Sequence, residues 1–136
     1  MSLSLEIVLP EGVRKFDNLR SVTLQTPDGE IGILPGHLPM VGLLDVGLLT
    51  IHTRETVRRF VTGAGMMRVA GDAVWVLVMD LLAEEEIDAE TAHHSLATAQ
   101  AALALPEHVM EPALREEHLL QIRHAEACIA LAERRR

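Results

Sequence analysis

The chain has 136 residues, 49% of them apolar, and 12 basic against 20 acidic side chains give it a formal charge of −8. That length suits one domain or two small ones. An acidic chain with two Phe, one Trp and no Tyr lacks both the basic stripe and the stacking platform of a nucleic-acid binder, and its core must be aliphatic. The single cysteine, Cys128, permits no internal disulfide and fits a reducing compartment. Met1 to Glu6 has no basic n-region and does not read as a signal peptide. The longest apolar runs fall far short of the roughly 18–20 residues that span a bilayer. The expectation is a soluble protein that meets a membrane only through a partner.

The first 80 or so residues read as short strands and tight turns. Leu3, Leu5, Ile7 and Leu9 alternate with Ser4, Glu6 and Val8, the period of a half-buried strand, and Pro10-Glu11-Gly12 ends it. Val22 and Leu24 alternate in the same way before Thr26-Pro27-Asp28-Gly29, where Pro presets φ and Gly takes the positive-φ position of a turn. Leu48 to Thr53 and Thr56 to Thr62 form two strands around Arg54-Glu55. Met66 to Val69 and Val74 to Met79 form a hairpin around Gly71-Asp72. The run Val74 to Met79 is almost wholly apolar, so both of its faces are expected to be covered. Many short strands with Gly/Pro turns predict a sandwich or flattened barrel.

The pattern changes at residue 84. Residues 1–83 carry seven basic and nine acidic side chains, residues 84–136 five and eleven, so the two segments differ in character. After Glu84-Glu85-Glu86, Asp88 is a good N-cap and Glu90 suits a first turn. Ala92, Leu96, Ala99 and Leu103 make a narrow helical seam. Leu105-Pro106-Glu107-His108 breaks the helix. Pro112 opens a second helix with Leu120, Ala127 and Leu131 on its seam, widened by Leu119, Ile122, Cys128 and Ile129. A short loop between two helices makes an antiparallel hairpin. The predicted organisation is a β-sandwich over 1–83 and a helix-turn-helix over 84–136. Arg134 to Arg136 complement the dipole at the last helical turn.

Catalytic signatures are missing. The one lysine, Lys15, has no glycine before it and no Ser or Thr after it, so there is no phosphate-binding loop, and no Gly-x-Ser-x-Gly elbow occurs. Seven histidines raise a metal question. His93 and His94 are adjacent and point about 100° apart on a helix, and His118 and His124 are six apart. Neither pair has the spacing of helical ligands, so the histidines read as polar positions on exposed helix faces and no metal or other cofactor is expected. Cys128 reads as a buried, inert thiol.

One segment exceeds a structural account. Asp28 to Met40 sets three glycines and two prolines among apolar residues. A bulged strand and a sandwich corner explain the glycines but not Glu30 and His37. Gly29-Glu30-Ile31-Gly32-Ile33-Leu34-Pro35-Gly36-His37-Leu38-Pro39 resembles, at every fixed position, the hallmark Gly-Glu-hydrophobic-Gly-Ile-x-Pro-Gly-His-x-Pro of the epsilon subunit family of F-type ATP synthases, called delta in mitochondria. Val46 to Ile51, Phe60 to Val69 and Ile87-Asp88 with Ala92 are similar to the family at the corresponding places.

The resemblance implies a fold of about ten strands in a β-sandwich followed by a C-terminal helical hairpin. It implies a non-catalytic subunit of the rotary central stalk. Its partners would be the gamma subunit and the membrane c-ring, with Glu30, Gly36 and His37 on or near the contact, and the location the cytoplasmic face of a bacterial inner membrane. The hairpin would regulate ATP hydrolysis, with Arg115 and Arg123 facing the beta or alpha subunits. Some relatives bind ATP through Ile/Leu-Asp-x-x-Arg-Ala. Here Ile87-Asp88-Ala89-Glu90-Thr91-Ala92 has Thr91 in place of the arginine, which removes a phosphate-pairing guanidinium, so nucleotide binding is not expected. Without the hallmark, the same elements would also suit a free-standing adaptor, and the histidines a metal hydrolase.

Overall fold

The computed structural model describes residues 1–106 and 110–134. The chain divides into two compact units, Met1–Ala83 and Glu84–Arg136. The first contains ten strands: β1 Leu3–Leu9, β2 Gly12–Leu19, β3 Ser21–Thr26, β4 Gly29–Ile33, β5 Met40–Leu44, β6 Gly47–His52, β7 Val57–Thr62, β8 Gly65–Ala70, β9 Ala73–Val78 and β10 Leu81–Ala83. They form two five-stranded sheets, ordered β2-β1-β9-β8-β5 and β10-β7-β6-β3-β4. The fold is a sandwich, with both predicted hairpins in place.

Alternation drives the packing. In β1, Leu3, Leu5, Ile7 and Leu9 are buried while the residues between them are half-buried. β1 pairs antiparallel with β2 and parallel with β9, so the first strand of the chain lies inside its sheet. The interior between the sheets is aliphatic, with Phe60 fully buried. Phe16 meets it edge-on, with ring centroids 6.0 Å apart. The guanidiniums of Arg14 and Arg58 lie within 5.7 Å of both rings, close enough for cation–π attraction.

Three features differ from the sequence expectations. β2 carries Arg14, Lys15 and Asp17 and shows no apolar alternation, because it is an edge strand and charge there protects against further pairing. Its register shifts between Leu3 and Leu5, and Asn18 at φ 58° takes the left-handed conformation that Asn tolerates at such an irregularity. β4 is regular, paired from Val22–Ile33 to Thr26–Gly29 without a break. The irregularity expected within Asp28 to Met40 is confined to residues 34–39, the corner that carries the chain from one sheet to the other. Finally, β9 is covered on one face only: Val74, Val76 and Val78 are buried, but Leu77 is 52% exposed. An apolar run fits two-sided burial equally well, and sequence does not separate the two.

The second unit begins with a short 3-10 turn, Glu84–Glu86, followed by α1 Ala89–Leu103 and α2 Pro112–Arg134. The helices pack on each other as a hairpin. Small residues line the buried seam: Ala92 and Ala99 on α1, and Ala125, Cys128 and Ala132 on α2 with Leu131. Cys128 is buried and free, and its Sγ lies 3.8 Å from His124 Nδ1. His93 and His94 are exposed as expected, whereas His118 and His124 are half-buried. The expected break at Glu107-His108, and Arg135 and Arg136, lie outside the described residues.

Candidate partner-contact site

Residues 34–39 form the corner between β4 and β5. Pro35 and Gly36 turn it tightly, and the His37 amide donates to the Leu34 carbonyl at 3.1 Å. Gly36 has φ 81°, a conformation that side chains resist, so this glycine is required by the backbone. Its amide donates to Asp72 Oδ1 at 2.9 Å, which pins the corner to the β8–β9 turn. Sequence reading placed Asp72 in a turn and missed this second role, which becomes visible only when two segments far apart in the chain meet.

His37 is half-buried. Its Nδ1 lies 2.7 Å from the Leu38 carbonyl. A carbonyl only accepts, so Nδ1 carries a hydrogen and donates it. Leu34 and Leu38, 60% and 80% exposed, give the corner an apolar surface around one imidazole. Beside it lies an open cleft of about 440 Å³ lined by Met1, Arg20, Ser21, Leu34, Pro35, His52 and Thr53.

Glu30 is exposed on β4, the edge strand of the other sheet, and shares a face with Gly32, over which a Cβ would meet nothing within 4 Å. The structure does not bring Glu30 and His37 together. Glu30 pairs with Gln25 next to the Pro27-Asp28 turn, and His37 follows the opposite end of β4. The strand from Glu30 to Ile33 alone accounts for about 10 Å at the usual rise per residue.

At the head of α1, Ile87 and Ala92 are buried. Asp88 caps the helix: Oδ1 accepts from the Glu90 amide at 3.2 Å and Oδ2 from the Thr91 hydroxyl at 2.7 Å. The Thr91 hydrogen bond, then that from Glu90, holds the Asp88 carboxyl below its ordinary value. Both oxygens are therefore engaged within the helix, and Thr91 completes the cap. On α2, Arg115 is half-buried and Arg123 exposed. They are eight residues apart, about two turns along one helix and about 80° around it. No group of three or more His, Cys, Asp or Glu that could hold a metal ion occurs among the described residues, nor does any of their helices have the length and apolarity to cross a membrane.

Residues 2–84 match the family model described as "ATP synthase, Delta/Epsilon chain, beta-sandwich domain". An ATP synthase epsilon chain of Solibacter usitatus is 32% identical over 134 residues, 98% of each chain. The chloroplastic ATP synthase epsilon chain of Adiantum capillus-veneris is 36% identical over 104 residues, 76% of this chain and 79% of that one. Among solved structures, a chain of the Euglena gracilis mitochondrial ATP synthase, determined as OSCP/F1/c-ring in rotational state 1, superposes with a TM-score of 0.82 at 22% identity over 95% of this chain and 80% of that one. A chain of the Tetrahymena thermophila mitochondrial ATP synthase central stalk and c-ring gives 0.64 at 14% identity over 99% and 96%. These two show a shared fold.

Proposed function

This chain belongs to the ATP synthase delta/epsilon chain family, and from that premise we propose that it is a non-catalytic subunit of the rotary central stalk, linking the gamma subunit to the membrane c-ring. The observation that carries the reading is the alignment along 98% of both chains with an epsilon chain, which covers the sandwich and the helices together. An adaptor that shared only the sandwich would not give it. The subunit is a peripheral part of the complex, and the bacterial relatives support the cytoplasmic face of the inner membrane as its place.

Glu30 and His37 serve in this reading as two separate contact points. The corner offers an imidazole among exposed leucines, and the β4 edge offers a carboxylate on the same face as the bare backbone of Gly32. The hairpin is the regulatory part, with Arg115 and Arg123 as the groups that would meet acidic residues of the beta or alpha subunits. Asp88 and Thr91 argue against a nucleotide at the head of α1. A phosphate there would meet an occupied carboxylate in a stretch, residues 84–108, whose sequence has no Lys or Arg to pair with it.

Size-exclusion chromatography with mass determination, using the gamma subunit encoded by the same genome, tests the reading. A one-to-one complex is expected at micromolar concentration. The Glu30→Ala/His37→Ala double variant is expected to weaken assembly with gamma and c-ring without unfolding the sandwich. No association of the unaltered chain with gamma would overturn the stalk role.

A further inference from the structure

The cleft beside the His37 corner has no part in the contacts proposed above. Its lining comes from four places in the chain: Met1, Arg20 with Ser21 at the start of β3, Leu34 with Pro35 after β4, and His52 with Thr53 at the end of β6. Strand pairing brings two of these together. Ser21 is paired with His52, and the Arg20 amide donates to the His52 carbonyl at 2.7 Å. The volume of about 440 Å³ falls within the roughly 300–1,000 Å³ usual for small-molecule sites.

The lining divides by chemistry. Leu34, 60% exposed, forms an apolar wall with Pro35 and Met1, while Arg20, Ser21 and His52 supply polar groups and no acidic residue takes part. Among the described residues, the exposed Arg20 and the half-buried Ser21 make no side-chain hydrogen bond or ion pair. His52 Nδ1 is shut off from solvent and has no hydrogen-bond partner among them, so Nε2 is the ring nitrogen left for an occupant. Thr53 shapes the wall. Its Oγ1 accepts from the Thr56 amide at 2.9 Å and shares a hydrogen bond with Thr56 Oγ1 at 2.8 Å, which fixes the turn after β6.

A guanidinium, a hydroxyl and an imidazole N–H all donate to an oxyanion. Arg20 is the one permanent charge in the lining, so the cleft balances a single negative charge. A carboxylate carries one and meets the guanidinium fork through two parallel hydrogen bonds, whereas a phosphate monoester carries nearly two.

We propose that the cleft binds a small carboxylate with an apolar body, its head on Arg20, Ser21 and His52 Nε2 and its body against Leu34 and Pro35. Such a ligand selects the ring form with hydrogen on Nε2. The site does not depend on the stalk reading. The Leu34 carbonyl accepts from the His37 amide at 3.1 Å, so an occupant rests on the corner that carries His37.

Nuclear magnetic resonance titration of the full-length chain with octanoate tests it. Saturable shifts are expected at the Ser21, Leu34 and Thr53 amides, with Val41 and Leu77, exposed on the other sheet, unmoved. Octanol lacks the charge, acetate lacks the body, and inorganic phosphate has the wrong charge. Each is expected to bind about tenfold more weakly than octanoate. Arg20→Gln is expected to lose about tenfold in affinity, and Arg20→Lys, which keeps the charge without the fork, a few-fold. Circular dichroism melting checks each variant, and the ligand comparison needs only the unaltered chain. Octanol binding as tightly as octanoate, or an Arg20→Gln chain that binds unchanged, overturns the carboxylate site. Tighter binding of phosphate overturns it too, as do unsaturated shifts spread over the exposed leucines, which would reduce octanoate to a detergent.

Discussion

Gly65 shows how a single atom can be excluded. A Cβ there would collide with the carbonyl oxygen of Leu77 and press on Val78, because β8 starts beside the end of β9. Gly65→Ala is expected to cost on the order of 2 kcal/mol, lowering the melting temperature by roughly 10 °C. A melting curve unchanged from the unaltered chain would show that the two strands yield without cost. Asp88 is the titratable counterpart. Its carboxyl is held below the ordinary value of 3.8 by the Thr91 and Glu90 hydrogen bonds, so its stabilisation of α1 is fully present above that value and is lost as pH falls through the lowered one. In an acid titration, Thr91→Val is expected to move the onset of helix loss to higher pH, measured by helical circular dichroism. A coincident pair of curves would mean that the Thr91 hydrogen bond contributes nothing to the cap.

At the scale of elements, two strands of similar length give opposite signals. β1 announces itself because one face is buried in a two-residue period. β2 hides because it is an edge, where charge and a bulge are assets. The helices are legible from their periodicity and α1 begins where Asp88 predicts, but of the seam read for α2 only Cys128 and Leu131 are buried, Leu120, Ile122, Ala127 and Ile129 are half-buried and Leu119 is 37% exposed. Ala125 and Ala132 lie beside the line read through Leu120, Ala127 and Leu131, and their burial with Cys128 and Leu131 is fixed only by how the two helices meet. The histidines also divide by element: those of α1 are exposed, while His118 and His124 on α2 are half-buried, and only the packed hairpin separates the two cases.

For the whole molecule, the two compact units suggest a proposal about folding. Residues 1–83 contain a closed core of buried side chains drawn from both sheets, enough for a domain of that size to fold alone. A chain ending at Ala83 is expected to give a cooperative melt and sheet-type circular dichroism. A non-cooperative trace would mean that the sandwich depends on residues beyond 83. Any regulation by the hairpin would then be inseparable from stability.

Sequence suffices for the β character of the first part, the helical character of the second, the turn at residues 26–29 and the hallmark that leads to the family. All of these are local: periodicity, φ preference and spacing are written within a dozen residues. Whatever depends on distant segments meeting is settled only in the assembled fold. Folding seats β1 between β2 and β9, ties Gly36 to Asp72, and separates Glu30 from His37 by the length of a strand. It also leaves one face of β9 open. A run of apolar residues records how much surface each strand can bury. Which of its faces finds a partner within the chain depends on where the other strands lie.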